Sequence, residues 1–296
     1  MDLEQWKTGG KYWSHNGHRI FYRLDGSGPP LLLLHGFPTS SWDYDPVYAK
    51  LTSQFLTVAP DFIGFGFSDK PQEYVYSLVD QAALVEGLLA ELRIDKIQIL
   101  AHDYGVSVAQ ELLAREQDRI RTRKKGGLAI ETVCFLNGGI FPEAHRPRFI
   151  QQVLLSPVGW IAAKFINEAA FTASFLEIFG KNTKPRAELT SQIWQVIVHN
   201  KGHEISHKLM QYIPERQKNR ERWVNALMNT RARFRLINGS VDPVSGRHMA
   251  DLYTQLIQNP DVVHLPEIGH YPQMEAPDAV LDAFLQFVHK KPEEQD

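Results

Sequence analysis

The sequence predicts an α/β fold, a mostly parallel sheet covered by helices on both faces, into which a helical lid is inserted late in the chain. Three observations carry this. Short apolar strand-like runs such as Leu31-Leu32-Leu33-Leu34 alternate with helix-patterned stretches such as Leu78 to Leu92, the pattern of strands buried on both faces. From Ile140 to about Asn229 the strand signal disappears, leaving helical patterning broken at Pro147, Pro157, Gly180, Pro185, Gly202 and Pro214. The strand pattern then resumes. The chain therefore divides into a first core part (1–139), a lid (140–229) and a second core part (230–296).

The elements follow in order. Lys11 to His15 and His18 to Leu24 flank Asn16-Gly17, a two-residue hairpin signal. Leu31–Leu34 and Phe55–Ala59 read as strands and Leu78–Leu92 as a helix. A strand at Lys96–Leu100 leads into a helix at Val106–Ala114, and Ile130–Leu136 is the next strand. Beyond the lid, Arg233–Ile237 and Val262–Leu265 read as the last strands, and the charged tail from Lys290 to Asp296 as disordered.

At 43% hydrophobic and 22% charged, the composition is that of an ordinary globular protein rather than a fibrous or disordered one. A net charge of −2 leaves no whole-molecule field to recruit nucleic acid or an anionic membrane. Cys134 is the single cysteine, so no internal disulfide forms, and its apolar run Val133-Cys134-Phe135-Leu136 points to a buried, inert thiol. The N-terminus lacks a basic start and an apolar core, and no run approaches the ~20 apolar residues that span a bilayer. No secretory signal or transmembrane segment is expected, and a cytoplasmic location is.

Function points to Ala101-His102-Asp103-Tyr104-Gly105, between a strand and a helix. This is the context of a nucleophile elbow, a tight strand-to-helix turn that needs small neighbours such as Gly105. An aspartate there can attack a saturated carbon and form an alkyl ester with its own carboxylate. After the strand Leu31–Leu34, His35-Gly36-Phe37-Pro38 can aim the Phe37 N–H into the same site. With the N–H of Tyr104 at a helix N-terminus it would form an oxyanion hole. Asp242 follows the strand Arg233–Ile237, and His270 follows Val262–Leu265. Nucleophile, acid, histidine is the chain order of the α/β-hydrolase fold. His270 would be the base that activates water, and Asp242 the group that orients it.

These segments resemble the epoxide hydrolase and haloalkane dehalogenase superfamily of α/β-hydrolases, and within it the mesoderm-specific transcript subfamily. The resemblance rests on His35 to Ser41, Gly64-Phe65-Gly66-Phe67-Ser68-Asp69-Lys70-Pro71, His102 to Gly105 and Asn137-Gly138-Gly139-Ile140-Phe141-Pro142-Glu143. Gln211-Tyr212-Ile213 and Arg222-Trp223-Val224 in the lid add to it. It spans nearly the whole chain from Trp6, and it implies the fold and the triad without fixing a substrate.

The superfamily also frames the electrophile. Haloalkane dehalogenases hold the departing halide with N–H donors where this chain has Tyr104 and Phe37, whose side chains offer none. Haloacetate dehalogenases use arginines near the nucleophile, and Tyr104 to Gln110 contains none. Epoxide hydrolases protonate the opening oxygen with two lid tyrosines, phenols of pKa ~10. Tyr212 stands at one such place and Trp223 at the other. The expected activity is cofactor-independent hydrolysis of a small apolar epoxide or related electrophile. Dehalogenation, or ligand binding by a protein that retains an inherited triad, are the alternatives.

Other signals are weaker. His203-Glu204-Ile205-Ser206-His207 matches a zinc-protease pattern, but Gly202 weakens the helix it needs and Met210 and Ile213 occupy the downstream places of the longer motif, so no metal is expected. Gly64 to Ser68 lacks the third glycine of a dinucleotide loop. The run Arg119 to Lys125, with Glu116 and Asp118 beside it, reads as a solvated helix end and loop.

Overall fold

A computed structural model describes residues 1–290; the tail at 291–296, read from sequence as disordered, lies outside the described residues. Eight strands form one sheet: β1 (Lys11–His15), β2 (His18–Asp25), β3 (Pro30–Leu34), β4 (Leu56–Pro60), β5 (Lys96–His102), β6 (Ala129–Leu136), β7 (Arg233–Gly239) and β8 (Val262–Leu265). Their order is β1-β2-β4-β3-β5-β6-β7-β8. The pairs β1/β2 and β2/β4 are antiparallel and all others parallel. Asn16 and Gly17 both have positive φ, +50° and +83°, as a two-residue turn matching the strand twist requires.

Strand residues alternate between two apolar cores, one on each face of the sheet. Leu32, Leu34, Ile97, Ile99 and Ala101 join the helices Leu78–Glu91 and Tyr104–Arg121 on one face. Leu31, Leu33, Leu100, Cys134 and Leu136 meet Asp45–Thr52 and Pro277–His289 on the other. Cys134 is fully buried, and burial pushes its thiol well above the usual range, in line with an inert side chain.

Several elements differ from the sequence reading, among them helices Asp45–Thr52 and Arg247–Leu256, which it did not place. Helix Tyr104–Arg121 runs well past Ala114, because its polar half is bound by neighbours: Arg115 and Arg119 reach Glu86, and Arg222 reaches Asp118. A short helix at Leu3–Thr8, with an Asp2–Gln5 capping box, precedes β1 and buries Trp6. Its signal was present in the sequence.

Between β6 and β7 the described chain is helical and contains no strand. Its helices are Phe149–Leu155, Gly159–Phe165, Glu168–Leu176, Ala187–Val198, Ser206–Leu209, Tyr212–Lys218 and Arg220–Asn229. No helix among the described residues is long and apolar enough to cross a membrane. The parallel strands all end at the same edge, where β3, β5, β6, β7 and β8 deliver the loops that carry Phe37, Asp103, Asn137, Asp242 and His270. Ligands of open α/β sheets bind outside this edge.

Leu33→Ala would leave a cavity beneath two helices in a strand buried on both faces. Urea denaturation should show a loss of about 2–5 kcal/mol; a change within the error of the measurement would contradict the burial described.

Candidate active site

Asp103 occupies a backbone conformation that side-chain-bearing residues rarely adopt, φ +45° and ψ −103°, at a cost of order 1–3 kcal/mol. Several contacts hold it there. Its N–H donates to the Asn137 carbonyl at 2.9 Å, and its carbonyl accepts from Val106 N–H at 3.2 Å and Arg216 Nη2 at 3.1 Å. Gly105 donates to the His35 carbonyl at 3.0 Å. A Cβ on Gly105 would lie 2.4 Å from the Leu34 carbonyl oxygen, so this turn requires glycine.

The Asp103 carboxylate is shared between two neighbours. Oδ1 accepts the Phe37 N–H at 2.9 Å, and Oδ2 lies 3.6 Å from His270 Nε2, a charge contact rather than a hydrogen bond. On the other side of the imidazole, Nδ1 meets Asp242 Oδ2 at 2.7 Å. Asp242 is itself saturated: Val244 N–H (2.7 Å), Ser245 N–H (3.1 Å), Ser245 Oγ (2.8 Å) and Asn137 Nδ2 (2.8 Å) all donate to it. Asn137 also exchanges two hydrogen bonds with the Gly239 backbone. One side chain thus joins the Asp103 turn to the Asp242 loop.

Burial disfavours charge on all three groups, and their mutual attraction outweighs it. It would lower His270, yet Asp242 and Asp103 together push the imidazole up to about 10. Burial would raise both carboxyls, yet both lie below the usual range. His270 and Arg216 hold Asp103 down, and His270 and Asn137 hold Asp242 down. His102 shows the opposite outcome. Burial and the His270 charge lower it to about 3, leaving a neutral ring whose Nε2–H donates to the His270 carbonyl at 2.7 Å.

Arg216 is 1% exposed, and no carboxylate among the described residues pairs with it at salt-bridge distance. Nε donates to Ser107 Oγ at 2.7 Å, and the guanidinium stacks 4.5 Å from the Tyr212 ring centroid. Gly139 makes room: a Cβ there would stand 2.3 Å from Nη1. Asp103, Asp242, His270 and Arg216 together balance to zero charge behind an apolar cavity of about 150 Å³. Its wall includes Asp103, His270 and Phe37 from the core, and Leu154, Phe171, Trp194, Met210 and Tyr212 from the helical insertion.

Besides Arg216 and Arg222, which reach helix Tyr104–Arg121, two staples tie the insertion to the core. The Glu275 carboxylate accepts from the N–H groups of Gly180, Gly269 and Tyr271 and from Thr183 Oγ1, while His270 N–H donates to the Ile178 carbonyl. Lys70 Nζ, buried, donates to the carbonyls of Gly66, Val196 and His199.

Residues 31–283 match the model of the alpha/beta hydrolase family. The chain belongs to this family. It is 40% identical to the mesoderm-specific transcript protein of Mus musculus over 301 residues, covering 97% of this chain and 88% of that protein. A haloalkane dehalogenase DbeA loop variant from Bradyrhizobium elkanii superposes with a TM-score of 0.75 at 21% identity, covering 94% of this chain and 96% of that one. The epoxide hydrolase CorEH superposes with a TM-score of 0.72 at 20% identity, covering 94% and 97%. At these identities the two solved structures establish the shared fold.

Asp103, Asp242, His270, Phe37 and Tyr212 are brought together around this family's strand edge. Tyr104 opens the helix after Asp103, with its ring packed on Phe62, Phe65 and Tyr212. Trp223 is the exception and corrects the sequence reading. It lies outside the cavity wall, and its indole N–H donates to Glu111 Oε2 at 2.8 Å on helix Tyr104–Arg121. Helix Arg220–Asn229 turns that face to the core, where a buried glutamate needs a donor. His203 and His207 do not share one helix: His203 sits in a 3-10 segment and on the cavity wall, and His207 Nδ1 contacts the Glu204 carbonyl at 3.0 Å. Among the described residues no group of three or more His, Cys, Asp or Glu side chains could hold a metal.

Arg216, Gln151 and the bridging role of Asn137 were not foreseen. Gln151 Nε2 donates to the Tyr212 hydroxyl at 3.2 Å. Arg216→Met would strip the cluster of its second cation. It should cost about 3 kcal/mol of stability by urea denaturation and move the Asp103 carboxyl back up towards its ordinary range. An unchanged unfolding midpoint would show that the guanidinium does not balance this cluster.

Proposed function

We propose that the protein is an epoxide hydrolase-like enzyme acting on a small apolar substrate through an Asp103 alkyl ester. The observation that carries the reading is the division of labour on one carboxylate: Oδ1 is occupied by the Phe37 N–H, while Oδ2 is left beside His270 at a cavity wall. Oδ2 attacks an epoxide carbon, its C–O bond forms, and the ring C–O bond breaks. Burial and the Asp103 charge push the Tyr212 phenol well above its ordinary range, so it carries the proton that the opening oxygen takes. Gln151, donating to the same hydroxyl, steadies the phenolate in place of a second tyrosine.

The resting imidazole is held protonated by two carboxylates and is a poor base. Esterification removes one of those charges. His270, still oriented by Asp242, then gives up its proton, which restores the Tyr212 phenol, and can take one from water, whose oxygen adds to the ester carbonyl carbon. The Phe37 and Tyr104 N–H groups hold the resulting oxyanion at Oδ1. Collapse releases the diol and returns Asp103. The apolar wall at Leu154, Phe171 and Trp194 suits an apolar substituent. A cavity near 150 Å³ in similarly apolar surroundings has the capacity to hold a benzene-sized group.

Intact-protein mass spectrometry of His270→Gln tests the scheme, because the first step survives while the second is blocked. Incubated with an epoxide panel, the variant should gain one substrate mass on Asp103. An adduct from bromoalkanes alone would reassign the activity to dehalogenation. No adduct from either panel, from a folded variant that still binds ligand, would favour a binding protein. Asp103→Asn should abolish turnover and, by mimicking the neutral ester, lower the His270 pKa by about 1 pH unit or more in an NMR titration. A His270 pKa unchanged in that variant would overturn the proposed switch in basicity.

A further inference from the structure

The helix Gly159–Phe165 is inverted: its apolar side chains face solvent. Gly159 and Ala163 are buried, whereas Trp160, Ile161, Lys164 and Phe165 are exposed. Positions spaced i, i+1, i+4 and i+5 share one helical face. Phe165 is 77% exposed and Trp160 51%. Phe149, on the adjacent helix Phe149–Leu155, is 80% exposed, and Val158 between the two helices is 57% exposed. Scattered exposed apolar residues are unremarkable in soluble proteins; a cluster of this size on one pair of helices marks an interaction surface.

Charge and continuity indicate what it meets. From Ala144 to Asn167 the charged side chains are Arg146, Arg148 and Lys164, with no acid among them. Arg148 turns to Glu177, while Arg146 and Lys164 are exposed, and the Lys164 ammonium lies 5.3 Å from the Trp160 ring centroid. Exposed aromatic and aliphatic side chains in a segment whose only charged residues are cations have the composition of a helix that lies in the interface of an anionic bilayer. The patch also borders the cavity directly. Ile150 and Ile166, sequence neighbours of exposed Phe149 and Phe165, line its wall.

We infer that helices Phe149–Leu155 and Gly159–Phe165 dock the protein peripherally on an anionic lipid surface, with Trp160 and Phe165 entering the headgroup region and Arg146 and Lys164 at the phosphates. The low net charge of the whole chain does not oppose this, because the attraction is local and acts within a Debye length. This docking is independent of the chemistry at Asp103.

Flotation with vesicles of equal parts phosphatidylcholine and phosphatidylglycerol, set against pure phosphatidylcholine, tests it in the full chain. The wild type should partition preferentially to the anionic vesicles, and salt should weaken that binding. The pair Trp160→Ser and Phe165→Ser should reduce it by roughly tenfold or more, given the apolar area withdrawn. Arg146→Glu with Lys164→Glu, which spares every apolar side chain, should abolish the preference for anionic lipid. Failure of the wild type to bind anionic vesicles, or binding unchanged by both pairs of substitutions, would overturn the assignment. So would a dimer in sedimentation velocity that the Ser pair dissociates while the wild type leaves vesicles unbound, because a second copy would then cover this face.

Discussion

A buried carboxylate costs several kcal/mol unless cations and hydrogen-bond donors replace its water, and this chain buries Asp103 and Asp242 at the edge of one sheet. The His270 ring lies between them, and Arg216 supplies the second positive charge from behind. The surrounding loops are shaped by that requirement. Asn137, Ser245 and Val244 turn donors to Asp242, Phe37 turns its N–H to Asp103, and His102 holds the backbone of His270. The strained Asp103 backbone is tolerable because the same groups that neutralise the cluster also grip the turn.

The sheet and the cluster were legible because their signals are local. Leu31 to Leu34 reads as a strand covered on both faces, and Asp103, Asp242 and His270 each follow a strand-like run, so topology brings them to one edge. Arg216 was hidden because Pro214-Glu215-Arg216-Gln217-Lys218 reads as a solvated turn of helix. Its burial depends on Gly139, which lies far away in sequence and leaves out the Cβ that would block it. Trp223 was misplaced for a related reason: spacing locates a residue on a helix but not which neighbour that helix turns towards. Glu111 decided it.

The apolar cavity and the polar cluster meet at a thin boundary made of Asp103, His270, Phe37 and Tyr212. On one side the walls are aliphatic and aromatic; on the other, every oxygen of Asp242 is bonded. The Tyr212 hydroxyl and its Gln151 partner are polar groups at that boundary.

The Glu275 and Lys70 staples constrain how a molecule enters. Glu275 binds the backbone on both flanks of His270 and also residues 180 and 183 of the insertion, so swinging that side outwards would drag the imidazole with it. Lys70 fixes the end of helix Ala187–Val198 in the same way. Arg216 and Arg222 tie the last two helices of the insertion to helix Tyr104–Arg121 as well. At the front the segment 149–166 contributes Ile150, Gln151, Leu154 and Ile166 to the wall, and because Gln151 grips the Tyr212 hydroxyl, moving that segment would let go of the phenol.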